Sequence, residues 1–256
     1  MAVIDVNTFI GGHPHRHVPH PEPEILVRVL ERERVDAAWV GHLPTAFADD
    51  VARGNDILFE ELEPHRAVLF PAPVVRPGRA EWQQELARCV DLGAAAIRAY
   101  PEHWAMRAGD ADLGALGAAC GEAELPLVLS VRLEDPARRD WAGAPADLGA
   151  ATIVQLVRGA PQARVVVTAA QGPLVDEVAA ALGARERARV WWDISWIAGP
   201  PRDDLGRFFS TMGPGRFLYG SQWPLRLTQT PRANLELLPP NMKFARLALA
   251  AELFGR

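Results

Sequence analysis

The chain has 256 residues, 49% hydrophobic and 23% charged, with a net charge of -5. That length suits one large domain with a substantial core, spanning residues 1–256, and the lack of a basic run argues against nucleic acid as a partner. No apolar run reaches the ~18 residues of a membrane span and no leader pattern opens the chain, so a cytoplasmic protein with no membrane partner is expected. Cys89 and Cys120 fall in predicted helices and form no motif, in keeping with a reducing compartment.

Ala2 to Val6 reads as the first strand and gives way to Asn7-Thr8-Phe9-Ile10-Gly11-Gly12. A loop rich in proline and histidine leads to a helix over Glu24–Glu33, where Ile25, Val29 and Arg32 recur at helical spacing. Ala37 to Val40 is the second strand, stopping at Gly41-His42, and Ala52 to Leu62 the second helix, with Asn55 or Asp56 as its cap. Ala67 to Phe70 is the third strand, halted by Pro71 and Pro73, and Arg79 to Leu92 the third helix, closed by Gly93. The fourth pair is Ala95–Tyr100 and Asp112–Ala123, with Asp110 or Asp112 as cap; the fifth is Leu127–Val131 and Asp147–Val157. Arg164–Thr168 and Pro173–Leu182, the latter ended by Gly183, form the sixth. Val190–Ile194 and Arg202–Phe209 form the seventh, and Phe217–Gly220 and Ala245–Phe254 the eighth.

Eight strand–helix pairs with short strands, apolar on both faces, predict a parallel sheet closed as a single-domain (β/α)8 barrel. An open doubly wound sheet would want a glycine-rich phosphate loop after the first strand, which Gly11-Gly12 does not supply. In a barrel the site is built from the loops at the C-terminal ends of the strands. The polar residues expected there are Asn7, Thr8, His42, Arg98, Tyr100, Ser130, Arg132, Thr168, Gln171, Asp193, Ser195, Ser221 and Gln222.

Arg98 and Arg132 end neighbouring strands, and two guanidinium groups at one mouth suit a carboxylate or phosphate; the alternative is that Arg132 pairs with Glu134 or Asp135 in its own loop. Asp193 and His42 are the candidates for moving a proton, each with a purely structural alternative. His13, His15, His17 and His20 share one loop, but its prolines and tight spacing make a closed zinc site from the four sterically difficult. Trp191, Trp192, Trp196 and Trp223 crowd the last two strands, as packing or as the wall of a ligand pocket.

The segments Ile4–Gly11, Gly93–Pro101, Leu125–Ser130 and Tyr219-Gly220-Ser221-Gln222-Trp223-Pro224 together resemble, in order and over the whole chain, the amidohydrolase superfamily in its branch of metal-dependent hydrolases and decarboxylases. The resemblance implies the same barrel. It also implies a metal held by His-x-His after strand one, histidines after strands five and six, and an aspartate after strand eight. Those positions here read Asn7 and Phe9, Ser130, a position near Ala169, and Gln222. Asn, Ser and Gln are poor zinc ligands, and Phe and Ala are none. The resemblance therefore implies a divergent member without the metal-hydroxide mechanism and with no cofactor. The expected function is hydrolysis of an ester, lactone or amide of a small carboxylated compound, with decarboxylation or another lyase step behind it. Asn7, Arg98, Tyr100, Ser130, Arg132, Ser195, Gln222 and Trp223 would bind that substrate. A catalytically inactive barrel binding a metabolite or partner protein, and a metal site relocated to the histidine loop with His42, are the alternatives. Barrel enzymes often pair, so a homo-oligomer is compatible with the chain, though no residue pattern fixes an interface.

Overall fold

In the computed structural model of the protein, residues 3–139, 141 and 143–239 are described. The strands are β1 (Ile4–Ile10), β2 (Ala37–His42), β3 (Leu69–Pro71), β4 (Ile97–Ala99), β5 (Leu127–Ser130), β6 (Val165–Thr168), β7 (Val190–Asp193) and β8 (Phe217–Leu218). The helices are α1 (Pro23–Glu33), α2 (Val51–Leu62), α3 (Trp82–Asp91), α4 (Ala111–Glu122), α5 (Ala150–Gly159), α6 (Gly172–Ala181), the short α7 (Ala184–Arg187), α8 (Asp204–Met212) and α9 (Gln229–Glu236).

Every ladder is parallel, in the orders β1-β2-β3 and β4-β5-β6-β7-β8. Two seams close them into one barrel. At the first, Ala95 and Arg98 donate their amides to the carbonyls of Pro71 and Pro73. At the second, the Val6 amide donates to Tyr219, Gln222 to Asn7, and Phe9 to Trp223. The architecture is the expected (β/α)8 barrel.

Side-chain parity sorts the core into layers. Ile4, Val6, Trp39, Ala96, Val128, Val166, Trp191 and Leu218 point inward and form the apolar filling. Their neighbours Val40, Ile97, Leu127, Leu129, Val165, Val167, Trp192 and Phe217 point outward against the helices. One step beyond the apolar filling, the inward positions become polar at the C-terminal end: Arg98 on β4, Ser130 on β5, Thr168 on β6 and Asp193 on β7, all buried. A register shift in β1 between Asp5 and Thr8 turns Asn7 into that layer.

Several boundaries differ from the sequence reading. Asp50, not Asn55 or Asp56, caps α2 by accepting the Arg53 amide, and Asn55 is buried, tied to both the amide and the carbonyl of Val74. The fifth helix begins at Ala150 rather than Asp147, whose carboxylate is taken by two arginines. Gly183 starts the short α7 rather than only ending α6, its amide held by Glu186. Helix α9 follows β8 without having been expected, because its apolar content is low; Ala245–Phe254 lies outside the described residues.

Candidate active site

The centre of the barrel mouth is filled by a buried polar network. Arg98, fully buried, donates from Nη1 to Asn7 Oδ1 at 3.4 Å and from Nη2 to the carbonyls of Val6 and Thr8 at 3.2 and 3.4 Å. Its guanidinium carbon stands 4.6 Å from the centre of the Phe9 ring, a cation–π contact. Asn7 donates from Nδ2 to Asp193 Oδ2 at 2.8 Å, linking the cation to a carboxylate. Asp193 also accepts the Ser195 hydroxyl and the Ala169 amide, each at 2.8 Å. Burial raises the Asp193 carboxyl above its ordinary range, opposed first by the Ser195 hydrogen bond. Asp193 has no exposed surface, so the network encloses it away from solvent.

Tyr100 joins this plug, buried against His103 and Trp104 with its hydroxyl turned toward Arg98 and Ser130, and Ser130 lies 3.1 Å from the Thr168 hydroxyl. The other expected residues lie around it. His42 sits apart from Asp193: its Nδ1 meets Thr45 Oγ1 at 2.8 Å, its ring lies against Gly11, and burial holds its pKa down to about 4. Arg132 does not converge with Arg98, nor does it pair with Glu134 or Asp135. Its Nη2 bonds Asp147, which Arg139 grips from the other side. Trp223 is buried beside Thr8.

Beside the plug, between the loops after β5 and β8, opens a cavity of about 310 Å3. Gln222 lies in its floor, held at both ends, with Nε2 donating to the Arg132 carbonyl at 2.8 Å and Oε1 accepting Trp196 Nε1 at 2.5 Å. Gln222 and Ala169 are both non-glycine residues in the left-handed region, with φ of 64° and 59°. Such conformations gather where loops are held for function. Trp196 forms one wall, with Arg132 at 4.8 Å and Arg226 at 4.1 Å from its ring. Among the described residues Arg226 and Arg138, both lining the cavity, make no ion pair; Arg226 is half-buried and its Nε has no partner.

Opposite stands Glu134, buried yet lining the cavity. Its Oε2 accepts Arg16 Nε at 3.1 Å and its Oε1 accepts Trp141 Nε1 at 2.8 Å. His13 Nδ1 accepts the His15 amide at 3.2 Å, so its proton is on Nε2, which faces Glu134 Oε1 at 3.8 Å. The histidine loop is thus a roof and not a cluster: His15 stacks on Trp141 at 4.2 Å, while His17 and His20 are exposed. Of the residues expected at the site, Gln222 lines this cavity, and so does Trp196 of the four tryptophans expected to pack or to wall a ligand pocket. Glu134 and Arg226, in loops, and Arg138, in the 3-10 turn Pro136–Arg138, were missed because their segments carry no periodicity, and the available signals were the density of charge in 132–139 and Arg226 just after the Trp223-Pro224 turn.

No protein-family model matches the chain, and no curated protein matches it in sequence. Solved structures do. A probable 2-pyrone-4,6-dicarboxylic acid hydrolase of Acinetobacter baumannii, with citric acid bound, superposes with a TM-score of 0.71 at 12% identity over 100% of both chains. The 5-carboxyvanillate decarboxylase of Sphingomonas paucimobilis gives 0.71 at 13% over 99% of both. An amidohydrolase of Mycobacterium avium subsp. paratuberculosis gives 0.68 at 14% over 99% of this chain and 98% of its own. The fold is the (β/α)8 barrel that these structures share. At these identities the likeness is one of fold, and what the site does rests on its own residues.

The metal that the sequence resemblance implies does not fit the residues present. At the positions where ligands would stand, Asn7 is spent between Arg98 and Asp193, Phe9 packs under the guanidinium, and Ala169 offers only its amide. Ser130 faces Thr168, and both ends of the Gln222 carboxamide are bonded. Among the described residues no three His, Cys, Asp or Glu side chains gather as a metal site, and no helix is long and apolar enough to cross a membrane.

Proposed function

We propose that this protein is a hydrolase that opens an ester, lactone or amide bond of a small carboxylated compound without a metal ion, in the cavity between the β5 and β8 loops. The observation that carries the reading is Arg226: a half-buried guanidinium, stacked on Trp196, lining a ligand-sized cavity and making no ion pair among the described residues. A planar guanidinium in that setting suits a carboxylate, and the indole suits a planar acyl or ring portion. The matched structures named for a dicarboxylic acid and a carboxylated aromatic add support by analogy of fold.

Glu134 takes the proton-moving role expected of Asp193 or His42, since neither of those lines the cavity. Trp141 and Arg16 fix its carboxylate, and the His13 ring stands behind it with Nε2 at 3.8 Å. Glu134 accepts a proton from water as the water oxygen attacks the carbonyl carbon, and returns it to the departing alkoxide or amine as the acyl bond breaks. Arg226 and Arg138 hold the substrate carboxylate and face the developing oxyanion.

The test is calorimetric titration with small di- and tricarboxylates together with a panel of lactones and esters, on the wild-type protein, Arg226→Ala and Glu134→Gln. Binding is expected to weaken at least tenfold in Arg226→Ala, and turnover to vanish in Glu134→Gln with binding retained. Carboxylate binding unaffected by Arg226→Ala refutes the reading. A second reading, a barrel that binds a carboxylate without turning it over, is favoured by the filled barrel mouth; binding with no hydrolysis across the panel selects it.

A further inference from the structure

We infer that Arg98 is a built-in cation: its guanidinium takes the place at the barrel mouth where the sequence resemblance implies a metal ion. The inference is independent of the cavity beside it. The residues around Arg98 are the ones at the first-strand ligand positions. Asn7 accepts from Nη1, Phe9 presents its ring face, and the carbonyls of Val6 and Thr8 take Nη2. The compensating negative charge, Asp193, is reached through Asn7, whose carboxamide accepts from the arginine and donates to the carboxylate.

The surroundings are also cut to the arginine. A Cβ on Gly41 of β2 would lie 2.9 Å from Arg98 Nε and 3.0 Å from its Cδ, so only glycine leaves room for the side chain to cross the barrel. A Cβ on Gly220, next to β8, would lie 2.5 Å from an Asp193 oxygen, so the counter-charge has its own glycine. Oxygen acceptors, an aromatic face, the Tyr100 hydroxyl, two remote carboxylates (Asp193 and Asp5) and two glycine clearances form a site for a flat organic cation. A divalent ion would want three or more direct anionic or imidazole ligands.

Chemical rescue tests this. Arg98→Ala is expected to lower Tm by several degrees, and millimolar methylguanidinium chloride, against sodium chloride at equal ionic strength, to restore at least half of that loss while leaving wild type unshifted. Gly41→Ala, which displaces the arginine without deleting it, is expected to lose Tm and show no rescue. Where Arg98→Ala yields no folded protein, Arg98→Lys takes its place and is expected to fall in Tm, because an ammonium cannot span the same three acceptors. In parallel, zinc is titrated into the untagged wild-type protein, with no stoichiometric binding expected. One zinc per chain that is weakened by Asn7→Ala overturns the inference, and so does an Arg98→Ala or Arg98→Lys protein of unchanged Tm, or one whose loss methylguanidinium does not relieve any better than sodium chloride.

Discussion

Replacing Asp5 with asparagine should stabilise this protein at neutral and alkaline pH and leave it little changed in acid. Asp5 lies on the outward side of β1, fully buried, and accepts the amides of Asn7 and Ser221 at 3.0 Å each on Oδ1, while Oδ2 has no hydrogen-bond partner among the described residues. Burial raises its pKa from 3.8 to about 7, against the Ser221 hydroxyl and the two amides, which lower it. The folded protein therefore holds this proton more tightly than the unfolded chain does. The contribution of Asp5 is fully present below 3.8 and is lost as the pH climbs through about 7. Two decades separate pH 5 from pH 7, and at about 1.36 kcal/mol per decade the loss over them is about 3 kcal/mol. Asparagine keeps the oxygen that the two amides need and carries no charge at any pH. Urea unfolding of both proteins at pH 5, 6, 7 and 8 should show the variant gaining on wild type by about 3 kcal/mol across the series. His42 and His103 act in the opposite sense. Burial lowers both to about 4, so each is stabilising above 6.5 and that contribution is lost as the pH falls through about 4. Both histidines are present in both proteins, so the difference between the curves isolates Asp5. A difference that stays constant with pH would refute the reasoning.

Two further outcomes follow from the loops above the barrel. Carboxylate binding in the cavity should change tryptophan emission, because Trp196 lies against Arg226; Trp196→Phe should abolish most of that change, and a full change in the variant would place the ligand elsewhere. Asp147→Ala removes the carboxylate shared by Arg132 and Arg139 and leaves Arg132, whose Nε and Nη1 have no hydrogen-bond partner among the described residues, as a buried unpaired cation. Such a loss costs roughly 3 kcal/mol, which urea midpoints would detect, and an unchanged midpoint would mean that water reaches Arg132.

The legible part of this chain was its periodicity. Parallel strands covered on both faces are apolar runs, and runs such as Leu127–Ser130 and Val165–Thr168 announce themselves by composition and by the glycines and prolines that stop them. Which residues stand at the mouth was also readable, since Ser130 and Asp193 end their strands, Arg98 lies one residue before the end of β4, and Gln222 follows β8 by four residues. What they do there was not, because a strand end has an inside as well as an outside. Arg98 is flanked by the outward Ile97 and Ala99, and that parity sends its side chain across the barrel, where Gly41 admits it. Nothing local to residues 97–99 says that a space had been left on β2. The same holds for Arg132, whose partner Asp147 lies fifteen positions on, past Glu134 and Asp135. The residues that line the cavity, Glu134, Trp196 and Arg226, come from three loops whose relative placement only the closed barrel fixes. In this protein the polar strand ends became the packed interior of the mouth, and the accessible chemistry moved outward by one layer, onto loops that no period describes.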